Sequence, residues 1–404
     1  MRFPTVVSRS CAAAAFLAAC SGDTDKPSGE RVTLPDGTVL MLYRNLDSAR
    51  EDTVVTDLRI GSVDGADAET FGDIRGIEVG GDGRIHVLDH QAAEVRQFAA
   101  DGQYLATLTH RGDGPAELSR ANGMVFDTTG TLWVQDHAKR AILGLSPDGT
   151  ELARIAMIVP GYGYFWSVTV DDQNVFWQTW NHSPPRAAAE PEPGRQTGAY
   201  QRFYKSFDPV APAYDSVFLG DATTHTYVVK MANGWSVLGL PFAPGPLAAI
   251  DRAGRIWTAT SDAYRLARLD GSGDTTLVLQ IDERGPIITA EERDGWLDGM
   301  DRFQEESSRL KAELGGLFPE RKPVLEQLVI DDENRLWVRR SVSTGQLPRF
   351  DVFDSDAGYV GSVRLPADMY VAFPPVIRDG RIYFIVRDSL DVQYVVGAAV
   401  PGGR

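Results

Sequence analysis

The chain has 404 residues, of which 43% are hydrophobic and 24% charged, and its formal net charge is −16. Those proportions belong to a well-packed globular protein and exclude a disordered one. The acidic balance excludes sequence-independent nucleic-acid binding, which needs lysine and arginine to neutralise phosphates, and it opposes adsorption to anionic lipid.

The N-terminus reads as an address. Arg2 and Arg9 precede a short alanine-rich apolar run, Cys11 to Ala19, well below the roughly 18 apolar residues a spanning helix needs. Ser21 to Glu30 is too polar to pack and reads as a tether. Leu17-Ala18-Ala19-Cys20 resembles the bacterial lipoprotein lipobox, which implies cleavage before Cys20 and lipidation of its sulfur. A plain secretory signal cut within the alanine-rich stretch is the other reading. Ser21 after the cysteine favours the outer membrane where sorting by that position operates. Cys11 and Cys20 are the only cysteines, so the folded body has no disulfide framework, thiol nucleophile or cysteine metal site.

Beyond the tether one unit recurs. Asp127-Thr-Thr-Gly-Thr-Leu-Trp-Val-Gln-Asp136 has counterparts beginning at Asp82, Asp172, Asp251, Asp332 and Asp379. Each is an Asp/Gly/Asn turn followed by an aliphatic residue, usually an aromatic, and a short apolar run, which is hairpin-turn chemistry feeding a buried strand. Two further strands follow each copy, as in Ala141 to Leu145 and Leu152 to Ile155. Four short strands in about 40 to 47 residues make a propeller blade.

The key aliphatic positions Ile85, Leu132, Val175, Ile256, Leu336 and Ile382 are spaced by 47, 43, 81, 80 and 46 residues. The first double spacing holds a proline-rich acidic loop (Ser183 to Gly198) and one hairpin, Tyr227 to Met231 with Trp235 to Leu238. The second holds an amphipathic helix opened by a capping box at Thr289-Ala-Glu-Glu292, with Trp296, Met300, Phe303, Ser307, Leu310, Leu314 and Leu317 on one stripe and Gly315-Gly316 as its stop. Neither insertion makes a blade, so the count is six, with seven as the alternative.

The expected fold is all-β: a six-bladed β-propeller with an inserted amphipathic helix and an N-terminal lipoprotein signal. The expected divisions are a signal peptide at 1–19, a tether at 20–30, a hairpin extension at 31–52 and the propeller at 53–404. Insertions are expected at 181–198, 220–245 and 283–323. The last blade shows only three strands, and Thr53 to Ile60 is expected to supply the fourth and close the ring.

Asp89 and Asp136 after the apolar strand, with Val95 and Ile142 six residues later, resemble NHL-like six-bladed propellers. Arg111-Gly-Asp-Gly-Pro-Ala-Glu-Leu118 is similar to the Gly-x-Gly-Pro-Gly-Glu-Phe segment of bacterial six-bladed propeller lipoproteins. The pattern departs at Thr179 and Arg340, which stand where the first two blades have Asp.

Blade loops alternate between the two faces of the ring. The Asp/Gly turns on one face are short, and every insertion falls on the other, so binding is expected on the long-loop face. Candidate ligand-binding residues there are His90, His110, Arg111, His137, Trp180, Asn181 and His182. His90 and His137, at equivalent places in adjacent blades, are the candidate metal ligands; otherwise they are ordinary loop residues beside aspartates that accept backbone N–H bonds. Trp180 suits sugars or peptides, or simply packs. No Gly-x-Ser-x-Gly elbow, His-Glu-x-x-His pair or phosphate-binding glycine loop occurs.

Two functions follow. One is a lipid-anchored, monomeric binding or scaffold module of the cell envelope, engaging a protein, peptide or glycan without a cofactor and touching the membrane only through its lipid. The other is a propeller enzyme with a divalent metal in its funnel, as resemblance in form to gluconolactonase-like hydrolases and amidating lyases implies.

Overall fold

The structure, a computed structural model, describes residues 27, 29–44, 46, 51–156, 168–182, 191–207, 215–231, 234–366, 369–370 and 373–401. The signal segment, Cys20 and most of the tether lie outside the described residues.

The described residues begin with four short strands: β1 (Glu30–Thr33), β2 (Val39–Tyr43), β3 (Glu51–Thr53) and β4 (Thr56–Ile60). Sheet I follows with β5 (Ile74–Val79), β6 (Ile85–Asp89), β7 (Glu94–Phe98) and β8 (Tyr104–Thr107). Sheet II has β9 (Ala121–Phe126), β10 (Leu132–Asp136), β11 (Ala141–Leu145) and β12 (Glu151–Ala156). Sheet III has β13 (Val168–Val170), β14 (Phe176–His182), β15 (Gly194–Phe207), β16 (Ser216–Met231) and β17 (Gly234–Gly239). Sheet IV has β18 (Pro246–Ile250), β19 (Ile256–Thr260), β20 (Arg265–Leu269) and β21 (Thr275–Ile281). Sheet V has β22 (Leu325–Ile330), β23 (Leu336–Arg340), β24 (Arg349–Phe353) and β25 (Tyr359–Arg364). Sheet VI has β26 (Val376–Arg378), β27 (Arg381–Arg387) and β28 (Gln393–Ala399).

Each sheet packs its face on the next, and the interfaces run in a circle. Leu88 and Val95 of sheet I meet Met124 and Leu132 of sheet II. Trp133 then meets Phe176, Tyr204 meets Ile250, Trp257 meets Leu336 and Trp337 meets Ile382. Finally Tyr383 and Ile385 return to Ile77 and Val87 of sheet I. The architecture is a β-propeller, nearly all strand.

The recurring turn explains its own sequence. Asp127, Asp171, Asp251 and Asp331 each accept backbone N–H bonds from the residues two and four places on. The residue three places on is left-handed: Gly130 (φ 87°), Asn174 (63°), Gly254 (78°) and Asn334 (61°). That conformation selects Gly or Asn. The second carboxylate oxygen accepts from the indole N–H of Trp133, Trp177 or Trp337 at 2.8–2.9 Å. One aspartate thereby fixes the turn and orients the aromatic that fills the blade. For Asp127, burial pulls upward, but the bonds from Trp133, Thr129 and Thr131 outweigh it and hold the carboxyl below its ordinary range.

Three expectations change in detail. The segment Thr53 to Ile60 is two strands: β3 lies parallel to β25 on the outer edge of sheet V, and β4 pairs with β28 as the outermost strand of sheet VI. The β1–β2 hairpin joins the outer edge of sheet IV, β2 running parallel to β21. The N-terminal segment is thus a strap over three consecutive sheets, locked where Tyr43 donates to the Ala357 carbonyl and accepts from the Tyr359 N–H, both at 2.9 Å. Second, the hairpin at Tyr227 is no separate element: β16 continues unbroken from the blade into it, and with β15 and β17 forms an arm beyond the end of β14.

Third, the inserted helix is broken. It runs as α1 (Ala290–Asp298), a 3-10 segment (Gly299–Glu306) and α2 (Ser307–Gly315), with Gln304 at φ 48° marking the kink. The Thr289–Glu292 capping box is formed. The apolar stripe still holds: Met300, Phe303, Leu310 and Leu314 bury themselves against Tyr227, Val229 and Leu238 of the arm. Arm and helices make a cap with its own core on the long-loop side. Among the described residues no helix is long and apolar enough to cross a membrane.

Candidate functional site: the central channel and its two mouths

The six innermost strands leave a channel with a cavity volume of about 920 Å³. Its floor lies where those strands run into the short turns. The turns there are tied to one another: Thr128 N–H donates to Asn174, Asp172 N–H to the Arg252 carbonyl, Arg252 N–H to Asn334 and Asp379 N–H to Asp332. Arg252 also pairs with Asp172 at 2.8 Å. This face is a laced belt. The opposite mouth opens beside a second cavity of about 490 Å³ between sheets IV and V, which shares Leu247, Glu326 and Gln327 with the channel. Arg339 pairs with Glu326 at 3.0 Å there, and the Gln327 side-chain oxygen is buried without a partner.

Four polar groups give the floor its chemistry. Glu78 on β5 lies directly opposite His86 on β6, so both side chains share one face of sheet I. Confinement pushes the Glu78 carboxyl up to about 8, against the pull of the Arg378 guanidinium and the Phe126 backbone N–H. His86 is buried edge-on to Phe126, 5.0 Å between ring centres, with Nε2 2.9 Å from Gln97 and Nδ1 unpartnered. Burial holds its pKa down to about 4, Asp82 pulling the other way, so the ring is neutral at physiological pH. Arg378 ends β26, and its guanidinium makes no hydrogen bond among the described residues. Its ion pair with Asp379 is a loose 3.7 Å. Asp332 keeps one carboxylate oxygen buried and unpartnered.

The residues expected from sequence fall elsewhere, on the long-loop side. His90, Arg111 and His110 cluster around the junction of sheets I and II. His90 Nδ1 is 2.7 Å from the Ala121 carbonyl, and Arg111 donates to the Gln91 and Ser119 carbonyls. His110 is exposed, 3.9 Å from Glu94. His137 is half-buried and donates its N–H to the Arg120 carbonyl. Trp180, Asn181 and His182 are the last residues of β14 on sheet III, paired with Phe203, Arg202 and Gln201 rather than free in a loop. Lys205 lies over the Trp180 ring at 3.9 Å. Asp89 and Asp136 act as staples. Asp89 accepts the N–H groups of Gly72, Asp73, Gln91 and Ala92, and Asp136 those of Ser119, Arg120 and Lys139. Arg340, which replaces that aspartate in sheet V, pairs with Glu283 and lies 3.6 Å from Asp351.

A funnel metal needs several converging donors. Among the described residues no three His, Cys, Asp or Glu side chains come together to hold one.

No family model matches the chain, and no curated protein matches it. Solved structures do. A member of the DUF4221 family from Bacteroides vulgatus is 9% identical with a TM-score of 0.48, over 86% of this chain and 97% of that one. Virginiamycin B lyase from Staphylococcus aureus is 11% identical, TM-score 0.38, over 81% and 95%. A gluconolactonase from Xanthomonas campestris is 13% identical, TM-score 0.35, over 94% and 99%. At these values the functional reading rests on this chain's own residues.

Proposed function

We propose that this chain is a six-bladed, NHL-like propeller of the cell envelope, lipid-anchored through Cys20, that works as a monomeric binding module on its long-loop side. The asymmetry of the two faces carries the reading: one is laced turn to turn, while the other bears the cap, the second cavity and the open mouth of the channel. A rigid scaffold presenting long loops is the usual arrangement of a binding site. The strap supports the anchor. Glu30 pairs with Leu42, and Tyr43 with Ile281, so β1 begins at the long-loop end of sheet IV. A tether leaving there reaches at most about 3.6 Å per residue. The partner is a protein, peptide or glycan of the envelope, and the module needs no cofactor.

Two measurements test it. Acyl-chain labelling of the expressed chain should mark the wild type and not Cys20→Ser. Photo-crosslinkers at Asp113 or Thr344 (long-loop side) should give discrete adducts in cells, whereas those at Thr129 or Ser272 (short-turn side) should not. Adducts from the short-turn side alone would reverse the assignment of faces.

A further inference from the structure

Among the described residues, one arginine lining the channel has no close ion pair. Arg252, the other arginine lining the channel, has a carboxylate partner at 2.8 Å. Arg378 has only its loose pair with Asp379, although its Nε is buried. Gly81 lies beside it, where a Cβ would sit in ordinary van der Waals contact, 3.8 Å from the Arg378 Nη2. The Arg378 side chain is 31% exposed and lines the channel, and a carboxylate is the group its two-pronged donor set fits.

We propose that the floor of the channel binds the carboxylate of a small organic acid, held by the Arg378 guanidinium with the Glu78 carboxyl beside it. The proposal rests on the reading of the propeller as a binding module, and it supplies a ligand class for the channel. The surroundings select a single negative charge. Asp332 of sheet V and Asp82 beside Arg84 on sheet I line the floor, with Asp127 and Asp331, already occupied by Trp133 and by Arg335 and Trp337; Asp379 follows Arg378 on the same turn. Together they repel a dianion such as phosphate. Above the floor the wall is largely apolar, with Val125, Phe126, Val168, Leu247 and Leu328, which suits an aliphatic or aromatic body. A protonated Glu78 donates a hydrogen bond to the bound carboxylate. Once ionised, it repels it.

The test is calorimetric titration of the purified mature chain with benzoate, hexanoate, succinate, inorganic phosphate and the uncharged control benzamide. A monocarboxylate should bind saturably, benzamide should not, and phosphate and succinate should be weaker. Arg378→Gln should weaken monocarboxylate binding roughly 10- to 100-fold, the range of a lost charge-assisted bond, with Arg378→Lys in between. Wild-type affinity should fall as pH rises through about 8, and in Glu78→Gln that dependence should vanish. Circular dichroism checks folding, and if Arg378→Gln fails to fold, Arg378→Lys and the pH profile still decide. No saturable binding of any monocarboxylate, equal binding of phosphate, or binding indifferent to Arg378 would overturn the proposal. Crosslinking from the long-loop side of Arg378→Gln keeps the two readings apart: unchanged adducts without carboxylate binding defeat only this one.

Discussion

Two carboxylates, one on the channel floor and one in the cap, have opposite fates. Glu78, at the short-turn end, is pushed up to about 8, because burial has no close ion pair to offset it. Glu292, in the cap on the long-loop side, is also penalised by burial, yet bonds from Lys322 and the Thr289 N–H bring it down to about 2. Thr289 and Glu292 close a helix cap, so the second charge is structural. The first has only the Phe126 N–H and the Arg378 guanidinium to favour its charge. A carboxyl kept neutral at a cost, beside a guanidinium with only a loose ion pair, marks a place where the chain serves something other than its own stability.

The same contrast runs through the ring and the cap, and perturbations should separate them. The largest expected effect is in the ring. Asp331 is buried and accepts from Glu333 N–H, Arg335 N–H, the Arg335 guanidinium and the Trp337 indole. Asp331→Ala strands those donors and should cost about 3–5 kcal/mol of global stability in urea unfolding. Leu310→Ala, in the cap's separate core, should cost about 2–4 kcal/mol. That loss should appear as protease sensitivity confined to 290–317 and 226–239. Tyr43→Phe, which unlocks the strap, should cost about 1–2 kcal/mol. Thr289→Ala should cost about 1 kcal/mol, read in local exchange of α1.

The pH dependence follows from the two glutamates. Glu78 has a folded pKa above its unfolded value of 4.5, so the folded state binds the extra proton and its contribution falls as pH rises from about 4.5 to 8. Glu292 has a folded pKa below that value, so its contribution is present above about 4.5 and is lost as pH falls toward 2. Glu78→Gln should flatten the first trend and leave the second.

How far the sequence reached depends on the range of the interactions. The Asp-x-x-Gly/Asn turns, the aromatics that follow them and the capping box at Thr289 are local, and all were readable; the indole bonds back to the turn aspartates were not. The two-part strap was not, because Val54 and Val55 continue the apolar pattern across the point where the chain passes from sheet V to sheet VI. The kink at Gln304 was hidden because the stripe stays in phase through the 3-10 segment. The floor was missed for a different reason. Glu78 and His86 face each other on one hairpin, but Arg378 lies 300 residues beyond Glu78, each unremarkable in its own segment, and only ring closure brings it to them. A charged residue inside an apolar first strand, as in Ile74–Val79, was the available signal. The histidines that drew notice lie beside Asp89 and Asp136, whose staples account for those loops without a ligand.

Native-state hydrogen exchange tests the division of labour most directly. If the ring is scaffold and the cap a separately packed body, amides of β6, β10, β19 and β23 should exchange together at the global unfolding free energy. Those of α1, α2 and β17 should open as one unit several kcal/mol more easily. Uniform exchange at one free energy across ring and cap would contradict the account.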